Sequence, residues 1–479
     1  MIPESKLLSD IEIEEITDKI FLFLEKNGVK VQHWEVLRLL DKAGVDVDHE
    51  SHVVRFPRPV LEIALKKAPS RFSLANPDGR KHLAIPTQQG GFFTCTNTGA
   101  SNVIDAVTGA KRLIEIQDVE VWGRLVNILE NIDMCAFPTP ANVPPETADI
   151  HSLKALLENT GKHVCIQPHT EKSLEYLVEL AVTMAGGLNN HKKNPITSIF
   201  CCSLTPFQFK KFDMEVLLKA TKCGMPIHAS SLPVAGGTAP LTVAGAVMVA
   251  TIEVIALVAM TQLIEPGHPV VGLITSLAMD MQTGRVKKAA VDVMRINAAS
   301  SQLLKRAFHI PTHTCAFTSD FDLLDDRTML ERYISCALVA GAGVDIIGRP
   351  GELEAAKTIS SLQLIIDDEI VGIIKRALSA IRLDEDEIAW NAILETPHGG
   401  NFLDHLHTLA HCRNGFNSWL LTGRNERVEE KLFQQVQAKF EQFIDVAEKD
   451  VAEIPERIRM DMDRIVREAD EKLSRKKRR

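Results

Sequence analysis

Residues 225–265 read MPIHASSLPVAGGTAPLTVAGAVMVATIEVIALVAMTQLIE, and how they are parsed determines what kind of protein this is. Met225–Ser231 is short, mostly apolar and entered through Gly224-Met225-Pro226, which suits a buried parallel strand. Pro233, Gly236, Gly237 and Pro240 then interrupt both helical and strand periodicity. Thr238 or Thr242 can cap the segment that follows, with Pro240 tolerated in a first turn. From Leu241 to Leu263 nearly every residue is apolar, and Glu253 is the only charge. A helix of about 20 such residues is long enough to cross a bilayer. Against that reading, a charge near mid-helix costs about 2.5 kcal/mol or more on insertion scales, and no Lys or Arg cluster flanks either end. The stretch is therefore strand, small-residue loop and buried layer helix.

That unit repeats. Candidate strands are Phe92–Thr98, Met134–Phe137, His163–Gln167, Ile196–Ser203, Met225–Ser231, His268–Ser276, Pro311–Phe317 and Val344–Gly348. Helices are expected between them, among them Asp118–Asn131, Thr170–Met184, Val286–Phe308 and Arg327–Ala340, with Ala355–Ile381 after the last strand. Strands alternating with helices build a parallel sheet, and eight such units fit a closed (β/α)8 TIM-type barrel over residues 90–382. A doubly wound sheet is the alternative, but the first unit lacks the G-x-G-x-x-G turn.

The flanks read differently. Residues 1–89 are expected to form an N-terminal helical cap with a small hairpin: a helix capped at Ser9-Asp10, a second over 34–43, an extended Val53–Phe56 and a third near Val60–Ala68. Residues 383–479 are a C-terminal extension. It holds an acidic-capped helix over Asp384–Leu394, a loop at Thr396–Gly400, a histidine-rich Asn401–Arg413 and a long charged helix pair over Val428–Leu473. The basic 475–479 tail is expected to be disordered.

Composition narrows the function. The 479 residues are 45% hydrophobic and 24% charged, ordinary for a large globular chain. A net charge of −9 and a pI near 6.0 disfavour nucleic-acid binding. Nine cysteines, two adjacent at Cys201-Cys202, are no secreted disulfide framework. With no signal peptide evident in MIPESKLLSD, a cytoplasmic protein with no membrane partner is expected.

In a β/α barrel the chemistry sits at the C-terminal strand ends. There the sequence offers Thr94, Thr96, Asn97, Pro138, Gln167, His169, Cys202, Ser203, His228, Ser230, Ser231, Thr275, Ser276, His313, Phe317, Asp320 and Arg349. Asp320 is the one carboxylate among them, so glycosidase chemistry, which needs two, is disfavoured. No G-x-S-x-G elbow or Walker loop is present. His398, His405, His407 and His411, with Cys412 beside them, admit a zinc reading, yet H-E-x-x-H is absent and a packed loop whose imidazoles bond to backbone is the favoured account. Phe92, Phe93, Phe137, Phe200, Phe317 and Phe321 fall in or just after strands. They are either ordinary core or, if several converge, a π-rich pocket for an organic cation.

At this point the chain resembles the trimethylamine methyltransferase family, in particular its branch without pyrrolysine. The resemblance is carried by FTCTNTGASNVID (93–105) with Thr108-Gly109, LPVAGGTAPLTVAG (232–245), QLIEPGHPVVG (262–272), DMQTG (280–284), SLQLIIDDE (361–369) and HGGNFLDHLHTLAH (398–411). It implies a barrel that takes a methyl group from a quaternary amine such as glycine betaine or proline betaine and passes it to the Co(I) corrinoid (cobalamin) of a cognate partner protein. This is one-carbon metabolism of the methanogenesis type. Two departures bear on substrate identity: Asp404-His405-Leu406-His407 stands where the family usually has Gly-His-Pro-His, and Arg349-Pro350 where small residues are common.

The chemistry accords with that implication. A quaternary ammonium has no lone pair for a metal and no proton to lose, and its tertiary amine leaves neutral. The nucleophile is the partner's cobalt, so no catalytic side chain and no tightly bound metal are expected; the barrel must orient and desolvate the cation. On this reading Phe93, Asn97, Phe137, Gln167, His228, Phe317, Asp320 and Arg349 bind substrate, while Gly236, Gly237, Thr238, His405 and His407 face the corrinoid or its carrier. Arg349 follows a buried strand, and either pairs with Glu352 or Glu354 or grips a substrate carboxylate. A homo-oligomer is expected. The competing readings are a zinc-dependent corrinoid methyltransferase of the methanol type and a non-catalytic betaine-binding barrel.

Overall fold

The computed structural model describes residues 6–79, 82–87, 91–96, 99–321, 324–413, 418–421, 432–447 and 453–474. Its centre is a closed barrel of eight parallel strands in sequence order: β1 (Phe93–Cys95), β2 (Met134–Ala136), β3 (His163–Ile166), β4 (Thr197–Cys202), β5 (Ile227–Ser231), β6 (Val270–Ile274), β7 (Thr312–Cys315) and β8 (Ile346–Gly348), which closes on β1. All eight lie inside the strands expected from sequence. Parallel strands covered on both faces read as short apolar runs, and here each is bracketed by Gly, Pro or Asn.

The apolar helix spans Val243–Ile264 and is capped by Thr242, whose hydroxyl accepts from Gly245 N–H. It is long and apolar enough to cross a membrane, but most of it is buried inside the protein. One side lies on β5 and β6, and the other is covered by helices Asp10–Lys26, Trp34–Lys42 and Arg58–Lys67 of the N-terminal cap. A helix enclosed all round has no polar face to present, which explains its composition. Glu253, the lone charge, is 1% exposed. Its carboxylate accepts from the hydroxyls of Ser203, Thr205 and Ser231 and from Phe207 N–H. Buried charges persist where hydrogen bonds satisfy them, and this one ties the ends of β4 and β5 to the loop between β4 and its helix.

Both ends of the barrel are finished by small sheets. The antiparallel hairpin Phe72–Ala75 and His82–Ile85 inserts Leu74, Leu83 and Ile85 among interior residues such as Cys95, Met134 and Cys165, plugging the N-terminal end. Around the C-terminal mouth, Leu277–Met279 pairs with Val234–Ala235 and with Val286–Lys287, and Asn102–Ile104 with Lys111–Leu113 and Thr358–Ser360. These pairings shorten two expected helices to Val291–Phe308 and Ser361–Ala377.

The N-terminal cap forms as the sequence indicates, with Ser9 and Glu12 in a reciprocal capping box. Its strand Val29–Val31 pairs with Val53–Arg55 and with Gln208–Phe209 of the β4 loop. The acidic-capped helix is two short ones, Glu385–Ile388 and Trp390–Glu395, broken where Ala389 adopts φ 53°. Helix Leu432–Ala447 packs on Ile116–Ile128 and Ser361–Ala377, and Glu456–Leu473 on Glu171–Met184. The start of the expected pair (428–431) and the 475–479 tail lie outside the described residues.

Candidate active site

Side chains alternate across a strand. On β4 this sends Ser198, Phe200 and Cys202 into the barrel, while Cys201 turns outward to the Asp213 carbonyl. The inward residues nearest the C-terminal ends enclose a cavity of about 190 Å³. Liquid water occupies about 30 Å³ per molecule, so this is small-molecule space. Gln167 just after β3 and Phe200 and Cys202 from β4 form one wall. Ser230, Leu232, Leu273 and Thr275 form the second. His313, Cys315, Gly348 and Arg349 close the ring against Thr96 and Gly99. A larger surface groove of about 1010 Å³, lined by Glu171, Lys172, Lys219 and Lys472, lies on the helical flank. None of its lining residues comes from a barrel strand, so the smaller cavity is the chemical one.

One end of the cavity is cationic. Arg349 Nη1 donates to Glu352 at 2.6 Å and its Nε to Cys315 Sγ at 2.7 Å. Burial alone would lower the Arg349 pKa, but Cys315 and Glu352 outweigh it and keep the guanidinium charged. Lys288 stands 3.8 Å from the same Glu352 carboxylate. Burial and then Arg349 push its pKa down to about 8. Arg349 and Lys288 thus share the Glu352 carboxylate, with Asp320 also acting on Lys288. Arg349 adopts φ 82°, a strained conformation for a non-glycine residue that tends to mark functional sites. The loop that carries it is fixed by Asp367, which accepts from Gly351 N–H, Gln363 and the fully buried Arg332.

The wall next to it is aromatic and uncharged. The Phe200 ring lies 5.0 Å from that of His228 and 6.3 Å from that of His313. Burial, followed by His228 and Arg349, holds the His313 pKa well below the usual imidazole range, so it stays neutral.

Of the residues expected to bind substrate, Gln167 and Arg349 line the cavity, and His228 lies just beneath it, bonded to His313. Arg349 makes the expected Glu352 pair, whereas Glu354 bonds Lys111. The phenylalanines are placed elsewhere. Phe93 opens β1 and packs toward the floor hairpin. Phe137 and Phe317 are fully buried outside the barrel wall, among the residues facing the helices, Phe137 against His169. A strand end is not an inward direction: Phe137 and Phe317 have the outward phase, Phe93 points inward but at the floor, and Phe200 points inward at the cavity. Asp320 accepts from the backbone N–H groups of Lys288 and Ala289 and so holds a loop. Asn97 lies outside the described residues. Lys288, Glu352, Cys315 and Gly348 were not singled out from sequence; the salt-bridge reading of Arg349 was the one signal for Glu352.

Gly236, Gly237 and Thr238 form the rim turn after β5, where Gly236 adopts φ 84° and Thr238 Oγ1 accepts from Val234 N–H. His405 caps the short helix Leu406–His411 and meets Glu395 at 3.4 Å. His407 donates through Nε2 to the Asp386 carbonyl, its ring stacked on His411, which approaches the Asp386 carboxylate. Asp386, His407 and His411 are close enough to share a metal ion, in an exposed setting.

The sequence matches the trimethylamine methyltransferase (MTTB) description over residues 1–429. The chain belongs to the trimethylamine methyltransferase family. It is 26% identical over 476 residues to a trimethylamine methyltransferase MttB of Desulfitobacterium hafniense (strain DSM 10664 / DCB-2), covering 97% of this chain and 94% of that one. It is 24% identical over 454 residues to a glycine betaine methyltransferase of Desulfitobacterium hafniense (strain Y51), covering 93% of each. Among solved structures, the hydroxylamine MtmB complex aligns with a TM-score of 0.53 and 12% identity, over 93% of this chain and 89% of that one. Family membership makes this protein a methyltransferase, and that structural likeness agrees with the barrel fold.

Proposed function

We propose that this member of the trimethylamine methyltransferase family takes a methyl group from a betaine-type quaternary amine and delivers it to the Co(I) corrinoid of a cognate partner in the cytoplasm. The observation that carries the substrate is the mixed lining of the cavity: Arg349, with Lys288 behind it on the same Glu352 carboxylate, and the aromatic face of Phe200 with a neutral His313. A carboxylate held by the arginine fork turns the trimethylammonium group toward the aromatic face. The partner's corrinoid, when docked, supplies the nucleophile. This chain binds, orients and desolvates the cation, and the product amine departs neutral, so no side chain need transfer a proton. The similarity to a glycine betaine methyltransferase supports the same choice.

Docking is assigned to the rim at Gly236–Thr238 and to the segment around His405 and His407. Trp390, Leu403, Leu406 and Leu409 are exposed there by 57%, 84%, 78% and 70%, an apolar surface of the sort that marks protein contacts. His407→Ala is expected to impair transfer to the corrinoid protein but spare transfer to excess free cob(I)alamin. Equal loss with both acceptors removes the docking role.

The substrate is tested by methylation of cob(I)alamin with glycine betaine, proline betaine, choline, tetramethylammonium and trimethylamine. Betaines should be used well, and choline and tetramethylammonium poorly. If choline matches glycine betaine, the carboxylate assignment fails. Dominant use of trimethylamine favours the activity named for the MttB relative, and zinc whose removal abolishes activity favours a methanol-type enzyme.

A further inference from the structure

Beneath the cavity a row of polar side chains crosses an otherwise apolar barrel interior. His163 Nδ1 on β3 stands 3.1 Å from the Ala75 carbonyl oxygen, and its Nε2 2.9 Å from Ser198 Oγ on β4. Ser198 Oγ is 2.9 Å from His228 Nε2 on β5, and His228 Nδ1 is 3.1 Å from His313 Nδ1 on β7. All four side chains are buried.

Each link holds one proton, so the row has a direction. A carbonyl can only accept, and His163 Nδ1 therefore carries its proton. Burial pushes the His163 pKa down to about 4, which leaves its Nε2 bare at neutral pH. The single hydroxyl proton of Ser198 is used on that nitrogen or on Cys165 Sγ at 3.4 Å, and in either case does not face His228. Ser198 Oγ then accepts from His228 Nε2–H, and in a neutral imidazole this leaves His228 Nδ1 bare. It accepts from His313 Nδ1–H, so His313 Nε2 carries a lone pair. The Cys165 thiol, 3.4 Å from Ser198, has Cys95 Sγ beside it at 3.6 Å and offers His163 no donor.

The bare nitrogen faces the cavity. A carbon placed as Cβ on Gly348 would lie 2.9 Å from His313 Nε2 and 3.6 Å from Cys315 Sγ, the sulfur bonded to Arg349. Glycine is what lets the imidazole edge come this close to β8, and His313, Gly348 and Arg349 line the same cavity. Among the described residues no protein donor meets this nitrogen.

We infer that His313 Nε2 accepts a hydrogen bond from a substrate hydroxyl, held in that tautomer by the positioning residues His228, Ser198 and His163. The preferred substrate is thus a trimethylammonium carboxylate that also bears a hydroxyl. The inference rests on the betaine reading and narrows it, because a quaternary nitrogen has no N–H to offer and only a hydroxyl can fill the role.

Two measurements test it. NMR of protein with 15N-labelled histidine rings should find His313 protonated at Nδ1 and bare at Nε2 near neutral pH. Ser198→Ala, which removes the relay oxygen, should turn the His228 and His313 signals to mixed tautomers. In cob(I)alamin methylation, 4-hydroxyproline betaine is compared with proline betaine, and 3-hydroxy-4-(trimethylammonio)butanoate with its 4-(trimethylammonio)butanoate parent. The hydroxylated member of at least one pair should show roughly tenfold higher kcat/KM, the worth of one well-made hydrogen bond, and His313→Phe should bring the ratio near one. A protonated Nε2, wild-type ratios near one in both pairs, or a ratio untouched by His313→Phe overturns the inference. If His313→Phe does not fold, the tautomer and the wild-type ratios decide. If no trimethylammonium compound is turned over, the betaine reading fails by itself, and calorimetric binding of the same pairs then judges the acceptor.

Discussion

Removal of the Arg349 guanidinium should cause two losses of different size and origin. Its Nη1 lies 2.6 Å from Glu352, whose side chain has no solvent exposure. Arg349→Met leaves that carboxylate with the Lys288 ammonium 3.8 Å away. Breaking a buried pair by deleting one partner costs about 3–5 kcal/mol, and the remaining lysine should keep the loss near the lower figure. The same substitution removes a charged hydrogen bond to the substrate carboxylate. Such bonds contribute about 1.5–3 kcal/mol, or about 10- to 150-fold in kcat/KM for glycine betaine. The double variant Arg349→Met/Glu352→Gln separates the two. It has no orphaned carboxylate, and Lys288, with its pKa already near 8, can release its proton. Urea unfolding should therefore show most of the stability restored, while betaine turnover stays low. Tetramethylammonium, which lacks a carboxylate, should discriminate little between wild type and double variant. If the double variant regains betaine turnover together with stability, Arg349 is a structural residue and its assignment to the substrate is refuted.

Glu253→Ala leaves three hydroxyls and the Phe207 N–H without their acceptor, and urea unfolding should report about 3–5 kcal/mol of lost stability; a loss below about 1 kcal/mol would mean water replaces the carboxylate. Phe200→Leu should raise KM for betaine roughly thirtyfold, the worth of about 2 kcal/mol of desolvated cation–π contact, whereas Phe137→Leu and Phe317→Leu should change stability and leave KM alone; the opposite pattern would return the aromatic wall to those two residues. Burial lowers His163 and His268 from 6.5 to about 4, so the unfolded chain takes up protons before the folded one. Their contribution is present above pH 6.5 and lost as pH falls toward 4, by about 3 kcal/mol for each group. A urea midpoint that stays constant from pH 7 to pH 5, or a decline that His268→Gln does not flatten, would contradict this.

The barrel was legible because its signal is local. Each strand is an apolar run that ends at a breaker, and each must be buried on both faces. Pairings between distant segments were not legible. Thr358–Ser360 reads as the start of a helix until Asn102–Ile104, more than two hundred residues away, claims it as a strand. Val286–Lys287 is taken the same way by Leu277–Met279. Within the site, which residues stand at strand ends was readable, and Gln167, Cys202, Ser230, Thr275, His313 and Arg349 all line the cavity. Which way a side chain points after the last ladder bond was not. Phe137 and Phe317 follow their strands in an outward phase, while Phe200 sits inside its strand with the inward phase. Lys288 arrives from a rim strand with no pattern of its own, so only the folded chain reveals it.

The hairpin fills the floor of the barrel, so among the described residues the cavity opens toward the C-terminal mouth. On the proposed function, substrate and methyl acceptor use this same opening, and neither can leave behind the other. Entry of the amine therefore has to precede docking of the acceptor, and the demethylated amine stays enclosed until the acceptor withdraws. In steady state this means a compulsory order of addition, with high acceptor concentrations blocking the door and inhibiting turnover competitively with the amine.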